Sequence, residues 1–257
     1  MEGSKLKIDI RRSKIMDQLR LNGKVSVAQL ADELKTTSVT IRNDLSALER
    51  EGYLTRVQGG AVRSNRMQRG FSVAGADKNV LQKQALAQEV SRIVSDGETL
   101  FINSGTTTYH VALALKEKKY LNIVTNSLVI AMELGNIPTF NVLLLGGEMN
   151  ATYGFTYGGD AQDQLCRYQA DWAILSVDSV SAKGGVTTYH PEEAIIDRLM
   201  MTNARRQLVV ATGEKIGKMG FSRICDCDAR THLITDSSCD KEALQELKER
   251  GVRATKV

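Results

Sequence analysis

The stretch Val25–Leu54, VSVAQLADELKTTSVTIRNDLSALEREGYL, admits few folds. Val27, Leu30, Ala31 and Leu34 recur at helical spacing, and Ile41, Leu45 and Leu48 repeat at i, i+4, i+7. Two short helices are predicted, each with one apolar face, joined by the polar turn Lys35-Thr36-Thr37-Ser38. Thr37 or Ser38 suits the N-cap of the second helix, because a side-chain oxygen there accepts from an orphan N–H group. With the apolar face turned inward, Ser38, Thr40, Arg42, Asn43 and Ser46 are left outside. Side chains of these types hydrogen-bond base edges and phosphates. A helix-turn-helix needs this division, with Arg and Asn near the start of the reading helix. Taken alone, two amphipathic helices and a polar turn also suit an ordinary helical domain, so the neighbouring residues decide.

Three neighbouring features favour nucleic acid. Arg11–Leu21 supplies a preceding helix, with Ile15, Leu19 and Leu21 available for a three-helix core. Leu54–Val62, LTRVQGGAV, follows as a short hairpin with Arg56 and Gln58 beside the turn glycines Gly59 and Gly60, which is the pattern of a wing. Charge is also segregated. Residues 1–70 hold 14 Lys and Arg against 8 Asp and Glu, a net +6, while the remainder carries −2. A basic head on a slightly acidic body suits phosphate attraction. The candidate DNA-contacting set is Ser26, Thr37, Ser38, Thr40, Arg42, Asn43, Arg56, Gln58, Gly59 and Gly60. Asp44, an acid on this helix, is expected to orient Arg42 or a neighbouring helix rather than touch a base.

At 257 residues the chain has room for a small and a medium domain, and 42% hydrophobic with 25% charged residues is ordinary globular composition. No apolar run approaches the length of a membrane span, and Met1–Ile10 is polar without a secretory pattern, so a cytoplasmic protein is expected. Cys166, Cys225, Cys227 and Cys239 lack metal-ligand spacing, and His232 completes no set; no metal or other cofactor is expected. Met1–Ile10 reads as a mobile arm leading into a domain that ends at Val62. Residues 63–76, with Arg63, Arg66, Arg69, Gly70 and Gly75 and no periodicity, read as a linker. Residues 77–257 form the second domain. It opens with a helix over Lys78–Ser95 whose face is Leu81, Ala85, Leu86, Val90 and Ile93. Short apolar runs at 100–102, 123–124, 142–145, 173–177, 208–211 and 233–234 follow, and a terminal strand is expected over 252–257. Helical segments at 111–118, 128–134, 160–167, 192–203 and 241–250 separate most of them. This alternation predicts an α/β domain around a mainly parallel sheet.

Ligands of such a sheet settle at the carboxyl ends of strands. Asn103-Ser104-Gly105-Thr106-Thr107-Thr108 occupies one such end, before a helix whose dipole favours an anion. Val124-Thr125-Asn126-Ser127 and Leu145-Gly146-Gly147 occupy two others. A Ser/Thr-rich turn more often caps a helix than cradles phosphate. Three polar or glycine turns at successive strand ends point to a ligand.

The run VSVAQLADEL with TIRNDLSALEREGYLTRVQGGA resembles the N-terminal domain of the DeoR family of bacterial transcriptional regulators. FINSGTTTYHVALAL, NIVTNSLVIAMEL, NVLLLGGEM, GGVTTYHPEEA and LITD stand in the order found in that family's effector domains. The resemblance implies a winged helix-turn-helix followed by a domain similar in fold to ribose-5-phosphate isomerase and glucosamine-6-phosphate deaminase. It implies a phosphate loop at Ser104, Gly105, Thr106, Thr107 and Thr108, with Asn126, Gly146, Gly147, Asp178, Glu193 and Lys215 around the remaining pocket. The chain departs from the family pattern at Ser176-Val177-Asp178-Ser179, where Gly-x-Asp-Gly is usual, at Asp197, where Lys is common, and at Thr212, where Asp is usual. A bulkier or differently charged effector, or a weakened phosphate site, would follow.

The expected function is a sequence-specific regulator, a repressor of a carbohydrate catabolic operon. Its expected partners are double-stranded operator DNA and a small phosphorylated sugar or related metabolite, and it is expected to act as a homodimer or homotetramer. The rival is a sugar-phosphate isomerase or deaminase with Asp178 or Glu193 as base and His110 or His190 nearby; no acid–base pair at motif spacing supports it. A non-specific architectural DNA binder is a third reading, disfavoured by the Arg/Asn face and the full second domain.

Overall fold

The computed structural model describes residues 2–50, 53–63, 79–151 and 153–257. The chain divides into two compact units, Met1–Phe71 and Ser72–Val257. Beyond Arg63, the linker expected over 63–76 lies outside the described residues.

The first unit runs α1 (Glu2–Asn22), β1 (Lys24–Ser26), α2 (Val27–Glu33), α3 (Ser38–Arg50), β2 (Leu54–Val57) and β3 (Gly60–Arg63). Ile15, Leu19, Leu30, Ile41, Leu45 and Leu48 are buried together as its core. Two expectations fail in α1. The helix takes in Glu2–Ile10, where an irregular arm was expected; the segment has no proline, and Glu, Lys and Leu favour helix. Leu21 is 79% exposed, because it falls on the far side of the helix from the Ile15–Leu19 pair. The three short strands form an antiparallel sheet in the order β1-β3-β2. Strand β1 was too short to leave a period in the sequence. The turn glycines have separate duties. Gly59 takes a φ of +81° at the hairpin turn, and its carbonyl accepts from Val27 N–H at 2.9 Å. Gly60 is buried where β1 approaches closely: a Cβ there would sit 1.9 Å from the Val25 carbonyl oxygen. Gly60 is therefore a packing position, which corrects its expected place on the DNA-contacting surface.

The second unit begins with α4 (Val80–Ile93), β4 (Thr99–Ile102), α5 (Thr106–Ala114), β5 (Asn122–Thr125), α6 (Leu128–Leu134) and β6 (Asn141–Leu144). It continues with β7 (Glu148–Asn150), β8 (Phe155–Tyr157), α7 (Gly159–Leu165), β9 (Ala170–Ser176), β10 (Ser179–Ser181), β11 (Gly185–Thr188) and α8 (Pro191–Thr202). It closes with β12 (Ala204–Val210), β13 (Ser222–Cys225), β14 (Thr231–Thr235), α9 (Lys241–Glu249) and β15 (Arg253–Lys256). Seven of the strands form one parallel sheet in the order β15-β14-β12-β9-β4-β5-β6. Its side chains alternate between two cores. Leu100, Ile102, Ile174, Leu208 and Val210 face Leu86, Val90, Val111 and Ile130 of α4, α5 and α6. Phe101, Ala173, Leu175 and Val209 face Ala161, Ala194, Met200 and Leu247 of α7, α8 and α9.

Strands β4, β5 and β6 step toward one edge, and β9, β12, β14 and β15 step toward the other. Right-handed crossovers require the helices of the two series to lie on opposite faces. The order reverses between β4 and β9, so a crevice opens at their carboxyl ends. Two small antiparallel groups flank the sheet, the pair β7–β8 and the set β10-β11-β13. Helix α5 starts at Thr106 rather than at Val111, which places Thr106, Thr107 and Thr108 in its first turn. In α4, Leu81 and Ala85 are exposed, and the buried face is Lys83, Leu86, Ala87 and Val90.

Gly60→Ala must push backbone against backbone, whereas a Cβ at Gly59 meets open space and carries only the positive-φ penalty. Gly60→Ala is expected to destabilise the first unit by more than about 2 kcal/mol and Gly59→Ala by about 1 kcal/mol. Thermal unfolding of the full chain followed by calorimetry would check the ranking.

Candidate functional site

In the first unit, α3 turns one stripe outward. Arg42 and Asn43 are exposed, and Ser38, Thr40 and Ser46 are half-buried beside them. Thr37 is the cap: its Oγ1 accepts from Thr40 N–H at 3.2 Å and lies 2.9 Å from the Thr40 hydroxyl. Ser26 precedes α2 without a side-chain capping bond. Arg56 Nη1 donates to Ser46 Oγ at 2.9 Å, and Arg56 N–H donates to Glu49 Oε1 at 2.8 Å, so the hairpin is tied to α3. Gln58 is exposed at the wing turn. Asp44 does not orient Arg42. It lies buried on the inner face of α3 and bonds Arg11 Nε and Arg12 Nε, the latter at 3.3 Å. It docks α1 on α3, the second of the two roles expected for it.

In the second unit, the crevice between β4 and β9 is held by Asn103. Its Nδ2 donates to the Ser176 carbonyl at 2.9 Å and to Asp197 Oδ2 at 3.0 Å, and its Oδ1 accepts from Ser176 N–H at 2.9 Å. Gly105 faces Ser176 so closely that a Cβ would lie 1.9 Å from Ser176 Oγ. Ser104 N–H donates to Asn126 Oδ1 at 3.1 Å, and Asn126 Nδ2 donates to the Thr156 carbonyl at 3.2 Å. Asn126 is thus a buried brace under the turn. Thr107 and Thr108 are buried, and Thr108 Oγ1 donates to the Asn103 carbonyl at 2.9 Å. What these two threonines offer at the crevice is backbone: the first N–H groups of α5 lack intrahelical acceptors and suit an anion. Gly146 N–H donates to Gln164 Oε1 at 3.0 Å, and Gly147 sits at φ +121° with Tyr157 O 2.5 Å from any Cβ. Both glycines shape the entry to β7; Gly146 N–H is taken by Gln164, while Gly147 is exposed.

Sequence reasoning missed Lys83. In α4 it reads as one more surface lysine, yet it is 8% exposed and its Nζ donates to Thr106 Oγ1 at 2.8 Å. Its ammonium brings positive charge to the first turn of α5. Across the crevice, Lys215 Nζ donates to the Val177 carbonyl at 2.5 Å, at the end of β9. Asp178 and Glu193 converge on Thr188, whose Oγ1 lies 2.9 Å from a carboxylate oxygen of each; Asp178 also accepts from Tyr189 N–H at 3.0 Å. Burial, reinforced by the charges of Asp197 and Asp178, pushes the Glu193 carboxyl well above the usual range. His190 stands at the N-cap position of α8 without a side-chain capping bond and packs on Tyr153 with ring centroids 4.9 Å apart, while His110 is buried in α5.

The departures at 176, 179, 197 and 212 resolve differently. Ser176 does fill space beside Gly105, whereas Ser179 is buried in β10. Thr212 is buried, and its hydroxyl has no hydrogen-bond partner among the described residues. Asp197 adds no exposed charge to the pocket: it is 1% exposed and faces Asn103 from α8. Burial, joined by the Asp178 charge, raises its carboxyl well above the usual range, against the opposing Asn103 bond.

A winged helix-turn-helix joined to a parallel-sheet unit with a polar crevice at its switch point defines a DNA-binding regulator of transcription that carries a sensor domain. The DeoR-like helix-turn-helix domain matches residues 11–67, and the DeoR C-terminal sensor domain matches residues 78–237. The chain belongs to the DeoR family. It is 31% identical to the HTH-type transcriptional repressor CsqR of Escherichia coli K12, over 88% of this chain and 87% of that protein. It is 30% identical to the lactose phosphotransferase system repressor of Lactococcus lactis, over 92% and 94%. It is 29% identical to the glycerol-3-phosphate regulon repressor of Haemophilus influenzae, over 90% of each. Among solved structures, ribose 5-phosphate isomerase from Plasmodium falciparum is similar with a TM-score of 0.39 and 10% identity, over 57% of this chain and 53% of that one. No helix among the described residues is long and apolar enough to cross a membrane.

Glu193 and Asp197 both have folded-state values raised above the ordinary carboxylate range. Their contribution to stability is complete below that range and is lost as pH rises through the raised values. Asp197→Asn keeps an acceptor for Asn103 and removes one titrating group. Its melting temperature is expected to fall less than that of the wild type between pH 5 and 9, by about 2–4 °C for each kcal/mol of penalty removed. Melting profiles of the full chain against pH would check this, and parallel profiles would contradict it.

Proposed function

We propose that the chain is a sequence-specific repressor of a carbohydrate catabolic operon, acting in the cytoplasm and controlled by a phosphorylated sugar or related metabolite. The observation that carries the effector assignment is the Lys83 ammonium on Thr106 Oγ1 at the first turn of α5. The phosphate sits against the α5 N–H groups, Ser104, Gly105, Thr106 and Lys83. The remainder of the effector reaches toward Asp178, Glu193 and Lys215, carboxylates and an ammonium being suited to hydroxyls. The site binds without turnover. Relatives named as repressors of a lactose phosphotransferase system and of a glycerol-3-phosphate regulon support a carbohydrate role.

The head reads DNA through Thr40, Arg42 and Asn43, with Ser38 and Thr37 at the start of α3 and Arg56 and Gln58 on the wing. One such module buries only about 600–1,000 Å² against DNA. A homodimer or homotetramer supplies a second head for a second half-site. The effector shifts operator affinity by binding one conformation of the assembly better than the other.

An operator selected from random duplexes supplies the test. Arg42→Ala is expected to weaken binding to it by about 10-fold or more. Fluorescence anisotropy of the operator complex is then titrated with sugar phosphates and their unphosphorylated parents. One phosphate should shift wild-type affinity and its parent should not. Lys83→Met, which keeps the buried stem, should bind the operator as the wild type does without effector and lose the response. A variant that responds as the wild type does would remove Lys83 from the effector site, and equal responses to phosphate and parent would remove the phosphate assignment.

A further inference from the structure

The outward stripe of α3 holds a side chain with no hydrogen bond to offer. Ile41, Leu45 and Leu48 are buried, and positions 39, 42, 43 and 46 lie on the opposite side within an arc of about 100°. Arg42, Asn43 and Ser46 are polar. Val39 is 62% exposed, an aliphatic residue in the first turn of the helix. Exposure of a single valine is unremarkable in itself, but its place is specific. Ser46, two turns on, is engaged by Arg56 of the wing. The first two turns are therefore the part of the stripe left to base edges, and a reading helix uses its N-terminal residues for that purpose. Thr40 is tied to the Thr37 cap. Val39, Arg42 and Asn43 remain as the exposed trio at i, i+3 and i+4.

A valine cannot read the donors and acceptors of the major groove. The apolar feature there is the C5-methyl of thymine. Residues 1–70 carry net charge +6, which matches the occupant of this face to a duplex. We propose that Val39 is a specificity-determining residue that packs its γ-methyls on the C5-methyl of a thymine in each operator half-site, beside the bases met by Arg42 and Asn43. This rests on α3 being the reading helix and adds a base identity to it. Val39 thereby discriminates thymine from bases lacking the methyl through contact area alone, without a hydrogen bond.

The experiment uses the full chain and the selected operator, with uracil replacing thymine at one position at a time, which removes the methyl and leaves pairing intact. Anisotropy is expected to find one symmetry-related pair of positions at which uracil weakens binding by about four-fold per half-site, the worth of one buried carbon. Val39→Ala should bind the thymine operator more weakly than the wild type and should bind thymine and uracil operators alike. The proposal is overturned if uracil is tolerated at every position, or if Val39→Ala keeps the full uracil penalty. An Arg42-dependent operator without methyl dependence overturns this assignment alone, whereas the absence of any selected sequence overturns the reading helix as well.

Discussion

The side chain of Asn103 joins the two halves of the sheet where their order reverses. The β4–β9 ladder ends at Ile102 opposite Ile174. Past that point the two strands must part, because each leads to a helix on a different face. Asn103 makes the next connections with its amide, donating to the Ser176 carbonyl and accepting from the Ser176 N–H. A buried amide left unbonded would cost on the order of 1–3 kcal/mol, so these bonds fix one width of opening. The turn at Ser104 and Gly105, the first turn of α5 and the Lys83 ammonium all take their positions from it. Asp197 completes the arrangement by accepting the second Asn103 hydrogen.

The elements legible in the sequence are those whose burial is two-sided or strictly periodic. Strands inside the parallel sheet are covered on both faces and leave short apolar runs, and six of the seven overlap the runs predicted for them; the edge strand β15, Arg-Ala-Thr-Lys, was expected only from its place after the last helix. The paired helices of the head left a clear period at Ile41, Leu45 and Leu48. Strands β7, β8, β10, β11 and β13 are three or four residues long and mix Ser, Thr, Met and Cys, so no period could form. The crevice was legible as a place but not as a set of bonds. Lys83 sits among Gln82 and Gln84 in α4, and its contact with Thr106, 23 residues on, is one no local pattern announces. Asn126 and Gly146 looked like ligand groups because strand-end position was all the sequence could show; their bonding partners, Ser104 and Gln164, are non-local.

In the first unit, a carboxylate stands on α3 without adding negative charge to its outer stripe because of its angular position. Asp44 follows Ile41 by three residues and precedes Leu48 by four, so it shares their inward face. There it bonds Arg11 and Arg12 of α1. The pair cements two helices whose apolar contact is small, and the outer stripe keeps Arg42 as its charge.

Two of the departures from the family pattern, at 176 and 197, make sense as local pairs rather than as isolated changes. Ser176 brings a hydroxyl into the crevice, and it fits because residue 105 has no Cβ to occupy the same space. Asp197 brings a carboxyl into a site where a free charge would be costly, and it fits because Asn103 donates to it and because burial favours its neutral form. Each pair joins the β4 turn to the β9 end or to α8, so each is a brace of the crevice. A change confined to one member would leave either a steric overlap or an unpaired buried amide. The changed residues therefore alter the wall behind the α5 N-terminus, while the cationic groups near the opening, Lys83 and Lys215, are supplied by α4 and by the turn after β12.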